Sequence, residues 1–170
     1  MKYSVAALII SDRADSGQRK DLCQPEFEAI LSGSDLELAE CAVTSDEPEQ
    51  IRSALKHLIA REINLILTCG GTGCGVRDNT PEVTASLIKK LTPGIDEAIR
   101  SHSKKKTDYA IYSRGVSGVT GKSLIINLPG SPRSVSEILP YLLETIRHPL
   151  DLIAGRVFDC SDELAGDGQP

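Results

Sequence analysis

Four glycines fall within the six residues Gly70-Gly71-Thr72-Gly73-Cys74-Gly75, and two aspartates, Asp46 and Asp78, flank that stretch in the chain. With no side chains in the way, the backbone N–H groups of such a loop can close on an anion. Each glycine also widens the unfolded ensemble, so a plain connection seldom uses so many. The implied chemistry is capture of a phosphate-bearing small molecule on Gly70, Gly71, Thr72 and Gly73. A tight strand-to-helix turn is the plainer alternative for the glycines alone.

Asp78 stands between the glycines and Thr80, next to Arg77, so a carboxylate and a guanidinium are presented where phosphates would lie. A turn or a salt bridge to Arg77 also accounts for it. Asp46 opens Asp46-Glu47-Pro48-Glu49, and on spacing alone this is a helix cap with a capping box. The glycine loop matches neither of two familiar nucleotide signatures. A dinucleotide fingerprint runs directly into a helix, whereas here the helix begins several residues late. Gly121-Lys122-Ser123 resembles the end of a P-loop, but Val116 stands where that motif needs glycine and a strand follows.

Two further polar stretches join the set. Ser11-Asp12-Arg13-Ala14-Asp15-Ser16-Gly17 follows the first strand, and Ser131-Pro132-Arg133-Ser134 opens the last long helix with hydroxyls near its positive end. Each is a cap or turn when taken singly; together at one sheet edge they form a ligand cleft. No histidine is assigned a catalytic role, since His57 and His102 lie within helical patterns and His148 precedes Pro149.

The elements that must position these residues alternate in type. Tyr3 to Ser11 is a strand apolar on both faces, and Leu22 to Ser32 a helix stopping before Gly33. Leu36 to Val43 is a weaker strand. Ile51, Ala54, Leu55, Leu58 and Ile59 share one helix face and lead into the strand Leu65 to Thr68. Thr80-Pro81-Glu82 offers an N-cap hydroxyl, an early proline and a carboxylate for a helix through about Lys90. Ile95, Ala98, Ile99 and His102 continue helical spacing, Gly115 to Gly121 is a turn or hairpin, and Ser123 to Leu128 is a strand. Val135 to Ile146 is a helix bent at Pro140, and Leu150 to Ala154 a short one. This order predicts an α/β fold with a mostly parallel sheet covered on both faces and ligands outside the carboxyl ends of its strands.

At 170 residues the chain is the size of one domain, expected over 1–157 with a tail over 158–170. A net charge of -5, with both signs interspersed, excludes a nucleic-acid stripe, and Lys104-Lys105-Lys106 is a helix C-terminus. Five cysteines without a CxxC pair suggest neither a disulfide framework nor a zinc site. Nothing resembles a signal peptide or a membrane span, so the expected location is cytoplasmic.

The combined motifs resemble the molybdenum cofactor biosynthesis proteins of the MogA/MoaB type, the molybdopterin adenylyltransferases, related to a domain of gephyrin. The matching residues are Ile10-Ser11-Asp12-Arg13 with Ser16-Gly17, Gly70-Gly71-Thr72-Gly73, Arg77-Asp78 with Thr80-Pro81-Glu82, and Leu128-Pro129-Gly130-Ser131-Pro132. His148, Leu150-Asp151-Leu152 and Gly155 extend the likeness over nearly the whole chain.

The resemblance implies a three-layer α/β/α fold with a mixed sheet, assembled as a homotrimer. It implies transfer of AMP from ATP to the terminal phosphate of molybdopterin with Mg2+ present, and a molybdenum-insertion protein as the recipient of the product. It makes Asp46 and Asp78 catalytic and metal-binding, and Ser11, Asp12, Gly70 to Gly73, Ser131 and Pro132 substrate-binding. Relatives carry an aromatic residue and a Ser-Gly-Pro stretch where this chain has Arg19 and Cys23-Gln24-Pro25, and an apolar residue in place of Asn79. A non-catalytic molybdopterin-binding or scaffold protein of the same fold is the alternative.

Overall fold

The computed structural model describes residues 2–156; the expected tail over 158–170, its boundary at 157, and Cys160 lie outside them. The elements run β1 (Tyr3–Ile10), α1 (Asp12–Asp15), α2 (Cys23–Leu31), β2 (Leu36–Thr44), α3 (Pro48–Ala60), β3 (Leu65–Cys69), α4 (Thr80–Leu87), β4 (Lys90–Leu91), α5 (Pro93–Lys104), a 3-10 turn (Asp108–Tyr112), β5 (Ser117–Thr120), β6 (Ser123–Leu128), α6 (Pro132–Leu143) and α7 (Arg147–Ile153).

The strands form one mixed sheet in the order β2-β1-β3-β6-β5-β4, with β2, β1, β3 and β6 parallel and the β5 and β4 pairings antiparallel. Side chains alternate across a strand with period two, which divides the core into two layers. Val5, Ala7 and Ile9 of β1, with Leu65, Leu67, Leu124 and Ile126, pack against α2 and α6 through Phe27, Leu31, Val135, Ile138 and Leu139. Ala6, Leu8 and Ile10, with Ile66 and Ile125, face the other way onto α3 and α4 through Ile51, Leu55, Leu58 and Val83. This is the expected three-layer α/β/α arrangement.

Strand β1 lies between β2, which follows it in the chain, and β3, so the connections leave in opposite directions from β1 and β3. That is the switch point at which open α/β sheets bind ligands.

Several local expectations are corrected. The polar loop after β1 contains a one-turn helix, α1, capped by Ser11, whose Oγ accepts from Ala14 N–H. Helix α4 stops at Leu87 instead of continuing to about Lys90, because Ile88 turns extended and Lys90–Leu91 becomes an edge strand on β5. Gly118 permits this: a Cβ there would lie 2.4 Å from Ile88 Cγ2 and 2.5 Å from the Lys90 carbonyl oxygen.

The Gly115 to Gly121 stretch is largely β5, with Gly121 at φ +57° turning the β5–β6 hairpin. Helix α6 runs through Pro140, and α7 begins at Arg147, before the expected Leu150. Among the described residues no helix is long and apolar enough to cross a membrane.

Candidate active site

The three polar loops expected at one edge converge there, joined by the turn between β2 and α3. Gly70, at φ +119°, ends β3 so closely against β1 that a Cβ would lie 2.2 Å from the Ile10 carbonyl oxygen. A Cβ on Gly130, after β6, would lie 2.8 Å from Gly70 Cα. Gly70 N–H donates to the Leu128 carbonyl at 3.1 Å. These glycines are therefore required by close approach of backbones, independently of any ligand.

Gly71 adopts φ +63°, and a Cβ there would lie 2.3 Å from Thr80 Oγ1 and 3.5 Å from Asp46 Oδ1. The Asp46 carboxylate thus sits beside the glycine loop. Its helix-cap reading is corrected: Glu47 occupies the N-cap of α3, with no side-chain cap hydrogen bond. Asp46 instead reaches across to α1, where its Oδ2 accepts the Asp12 N–H at 2.8 Å. Asp12 Oδ1 accepts the Asp46 N–H at 3.0 Å in return. The Asp46 carboxylate finds in Asp12 a backbone donor that Pro48, which has no N–H, cannot offer at the helix start.

Asp78 closes the other side. Its Oδ2 accepts the Gly75 N–H at 2.7 Å, and a Cβ on Gly73 or Gly75 would come within 2.9 Å or 2.8 Å of that oxygen. Of the two plainer alternatives for Asp78, the turn is present, since its N–H donates to the Gly75 carbonyl at 3.0 Å, and the salt bridge to Arg77 is not. Arg77 crosses the cleft to Asp12, with its Nη2 2.8 Å and 2.9 Å from the two carboxylate oxygens, and to Glu47 at 2.5 Å.

The electrostatics follow from these contacts. The Asp46 backbone N–H, with Arg77 beside it, holds the Asp12 carboxyl below its ordinary range. Burial pushes Asp46 up, against the pull of the Asp12 N–H, with Asp12 and Asp78 adding repulsion. Arg77 is held further in its charged form by Glu47 and Asp12.

Arg114, which sequence reasoning missed, holds the loop from outside. Its backbone N–H donates to the Thr72 carbonyl at 2.9 Å, its Nε to the Gly73 carbonyl at 2.7 Å, and its Nη2 to the Asp78 carbonyl at 2.6 Å. It also pairs with Glu82. No periodicity or turn signal marks Arg114, because its partners lie far away in the chain.

Thr80 was expected to cap α4; the N-cap is Asn79, and the Thr80 hydroxyl is buried under Gly71 without a hydrogen-bond partner. Ser131 does cap α6, accepting the Ser134 N–H at 3.0 Å, and Pro132 begins that helix. Ser11 and Pro132 line one small recess with Ile10 and Gly130.

A divalent cation fits the donors present. Asp46 and Asp78 each commit only Oδ2 to a hydrogen bond among the described residues, leaving Oδ1 for a hard cation. Among the described residues no group of three or more His, Cys, Asp or Glu could form a metal cage. Two carboxylates alone would be enough for Mg2+, which uses one or two and completes its shell with water and substrate phosphates. A larger recess of about 680 Å3 lies between α5, α6 and α7, lined by Ile95, Ala98, Leu142, Ile146 and Pro149. It lies by α7, whose Asp151 accepts from Tyr3 at the amino end of β1, and it contains none of the loop residues at the carboxyl ends of the strands.

Comparison with known proteins gives concordant results. Residues 6–148 match the family described as "Probable molybdopterin binding domain". A molybdopterin adenylyltransferase of Helicobacter pylori is 36% identical over 162 residues, covering 94% of this chain and 92% of that protein. The crystal structure of the molybdopterin biosynthesis enzyme MoaB of Thermus thermophilus superposes with a TM-score of 0.85 at 39% identity, over 92% of this chain and 99% of that one. The Mog protein of Mycobacterium ulcerans gives 0.84 at 37%, over 89% and 99%.

Proposed function

The chain belongs to the molybdopterin-binding domain family, and from that membership we propose that it is a molybdopterin adenylyltransferase of molybdenum cofactor biosynthesis. The observation that carries the reading is the convergence of Asp46 and Asp78 on the Gly70–Gly73 loop at the sheet's switch point.

In this reaction a terminal phosphate oxygen of molybdopterin attacks the α-phosphorus of ATP. A new P–O bond forms, the bond to the bridging oxygen breaks, and pyrophosphate leaves. The attacking group is a phosphate monoester whose second pKa is about 6, so it is ionised near neutral pH and needs no general base.

The task left to the protein is to align two anions that repel each other. The N–H groups of the glycine loop, fixed by Arg114, would bind phosphate oxygens. Arg77 would exchange Asp12 or Glu47 for a phosphate. Ser11, Asp12, Ser131 and Pro132 would form the pterin-facing wall. Asp46 and Asp78 would hold Mg2+, which when bound offsets phosphate charge. We extend the proposal to a cytoplasmic homotrimer that hands its product to a molybdenum-insertion protein.

Incubation with molybdopterin, ATP and Mg2+ tests the reading. Pyrophosphate and adenylylated molybdopterin should appear together, and chelation of Mg2+ should stop both. Tight molybdopterin binding without ATP consumption, under conditions that support an active relative, would replace it with the non-catalytic alternative.

A further inference from the structure

Two thiols lie under the cleft with no part in the chemistry above. Cys23 is the first residue of α2 and Cys69 the last of β3; they are 5% and 1% exposed. Their Sγ atoms are 3.6 Å apart, with Cys69 donating to Cys23. Cys69 Sγ is also 3.4 Å from the Pro129 carbonyl oxygen. Both thiols line the recess that Ser11, Arg19, Lys20 and Gly130 share.

We infer that Cys23 and Cys69 are a reversible redox pair: a peroxide oxidises Cys23, and Cys69 resolves it to an intrachain disulfide beneath the phosphate loop. The two sulfurs are unequal in the way this requires. Cys23 accepts the thiol hydrogen bond and stands at the positive end of a nine-residue helix. The Cys69 S–H holds the Cys23 thiol below its ordinary range, against the opposing effects of burial and of Asp21, which accepts the Cys23 and Gln24 N–H groups. The same hydrogen bond, together with burial, keeps Cys69 protonated. Cys41 is a bystander, its thiol pushed up to about 12 by burial.

In the first step the Cys23 sulfur attacks a peroxide oxygen. The O–O bond breaks, the thiol proton leaves with the departing oxygen as water, and a sulfenic acid remains. Cys69 sulfur then attacks that sulfur, the S–S bond forms, the S–O bond breaks, and a second water departs. Two electrons pass from the sulfurs to the peroxide. A dithiol reductant reverses the change.

Bond formation needs roughly 1.6 Å of approach between the sulfurs. It takes Cys69 Sγ from the Pro129 carbonyl, and Cys69 directly precedes Gly70, which is wedged between Ile10 and Gly130. The tie therefore bears on the phosphate loop. Its predicted effect on turnover rests on the adenylyl-transfer proposal; formation of the bond does not.

The test is mild peroxide treatment of the folded protein followed by peptide mapping. Tryptic peptides 21–52 and 62–77 should appear linked through Cys23 and Cys69, about 2 Da below their summed mass, and dithiothreitol should separate them. Fragmentation distinguishes Cys41 and Cys74, which share those peptides. In Cys69→Ser, dimedone should trap a sulfenic acid on Cys23; in Cys23→Ser the link should vanish. Over-oxidation of unlinked Cys23, or linkage through Cys74, would overturn the pairing, and the parent's map decides this even if a variant misfolds. Pyrophosphate release should fall about fivefold on linkage and recover with dithiothreitol. Linkage with unchanged turnover would overturn the coupling to the site. A reduced protein that forms the link yet never releases pyrophosphate would overturn the proposed activity alone.

Discussion

Asp12 and Asp46 hold each other by exchanged backbone-to-carboxylate hydrogen bonds of 2.8 Å and 3.0 Å, joining the start of α1 to the turn before α3. Two anionic side chains are thereby kept adjacent by N–H groups, and burial raises Asp46 while the Asp46 N–H lowers Asp12.

Asp46→Asn separates charge from position. The amide oxygen can still accept the Asp12 N–H, so the melting temperature should barely move, while pyrophosphate release should fall about a hundredfold. Asp46→Ala removes the acceptor as well and should lose about 1 kcal/mol of stability in denaturant unfolding. Turnover of Asp46→Asn equal to the parent's would remove Asp46 from the site.

Gly70→Ala and Gly17→Ala form a matched pair, both at positive φ. Around Gly17 a Cβ meets nothing within 4 Å, so the change should cost about 1 kcal/mol of backbone strain. At Gly70 the Cβ would drive into the Ile10 carbonyl, and a loss of about 3 kcal/mol is expected by urea titration. Equal losses would mean that β1 and β3 yield easily at the loop.

Arg114→Lys keeps the positive charge but not the planar fork that reaches the Gly73 and Asp78 carbonyls. It should lower kcat/KM for ATP about tenfold, with the circular dichroism spectrum unchanged. An unaffected kcat/KM would show that the loop holds its shape without that brace.

Asp96 of α5 supplies a pH test away from the site. Its Oδ2 accepts the Ser117 N–H, its Oδ1 is buried without a partner, and burial holds its carboxyl above the ordinary value of 3.8. A carboxyl raised by folding binds its proton more tightly in the folded state. Its charge therefore weakens the fold above the folded-state pKa and weakens nothing below the unfolded one. Asp96→Asn should melt at or above the parent near pH 7 and with it at about pH 3. A lower melting temperature at neutral pH would mean that the Asp96 charge is favourable.

Much of this arrangement is legible before any coordinates, and the reasons are local. Val5 to Ile10 is apolar throughout because β1 is covered on both faces, and Ile51, Leu55 and Leu58 share a helix face by spacing alone. The glycine loop announces itself through Gly70 and Gly71, whose positive φ values few other residues tolerate. What escapes is contact over distance. The partners of Arg77 and Arg114, the buried Thr80 hydroxyl and the meeting of Cys23 with Cys69 depend on which strands become neighbours. Local spacing even misdirects at Asp46, since an aspartate before Glu47-Pro48-Glu49 is a cap in isolation and a cross-cleft acceptor once α1 arrives. The short β4 escaped because only Gly118, opposite it, permits the approach.

The pairing of β1 with β3 and of β3 with β6 carries a kinetic consequence. Val5 meets Leu65, and Leu65 meets Leu124, only after long stretches of chain have closed into loops, and parallel pairings of that kind form slowly. Helices such as α3 can appear on their own sequence well before this. The phosphate loop cannot, because Gly70 acquires its neighbours Ile10 and Gly130 only when all three strands lie side by side. During refolding from denaturant, helical signal should therefore return ahead of ligand-binding capacity, and the lag would time the completion of the sheet.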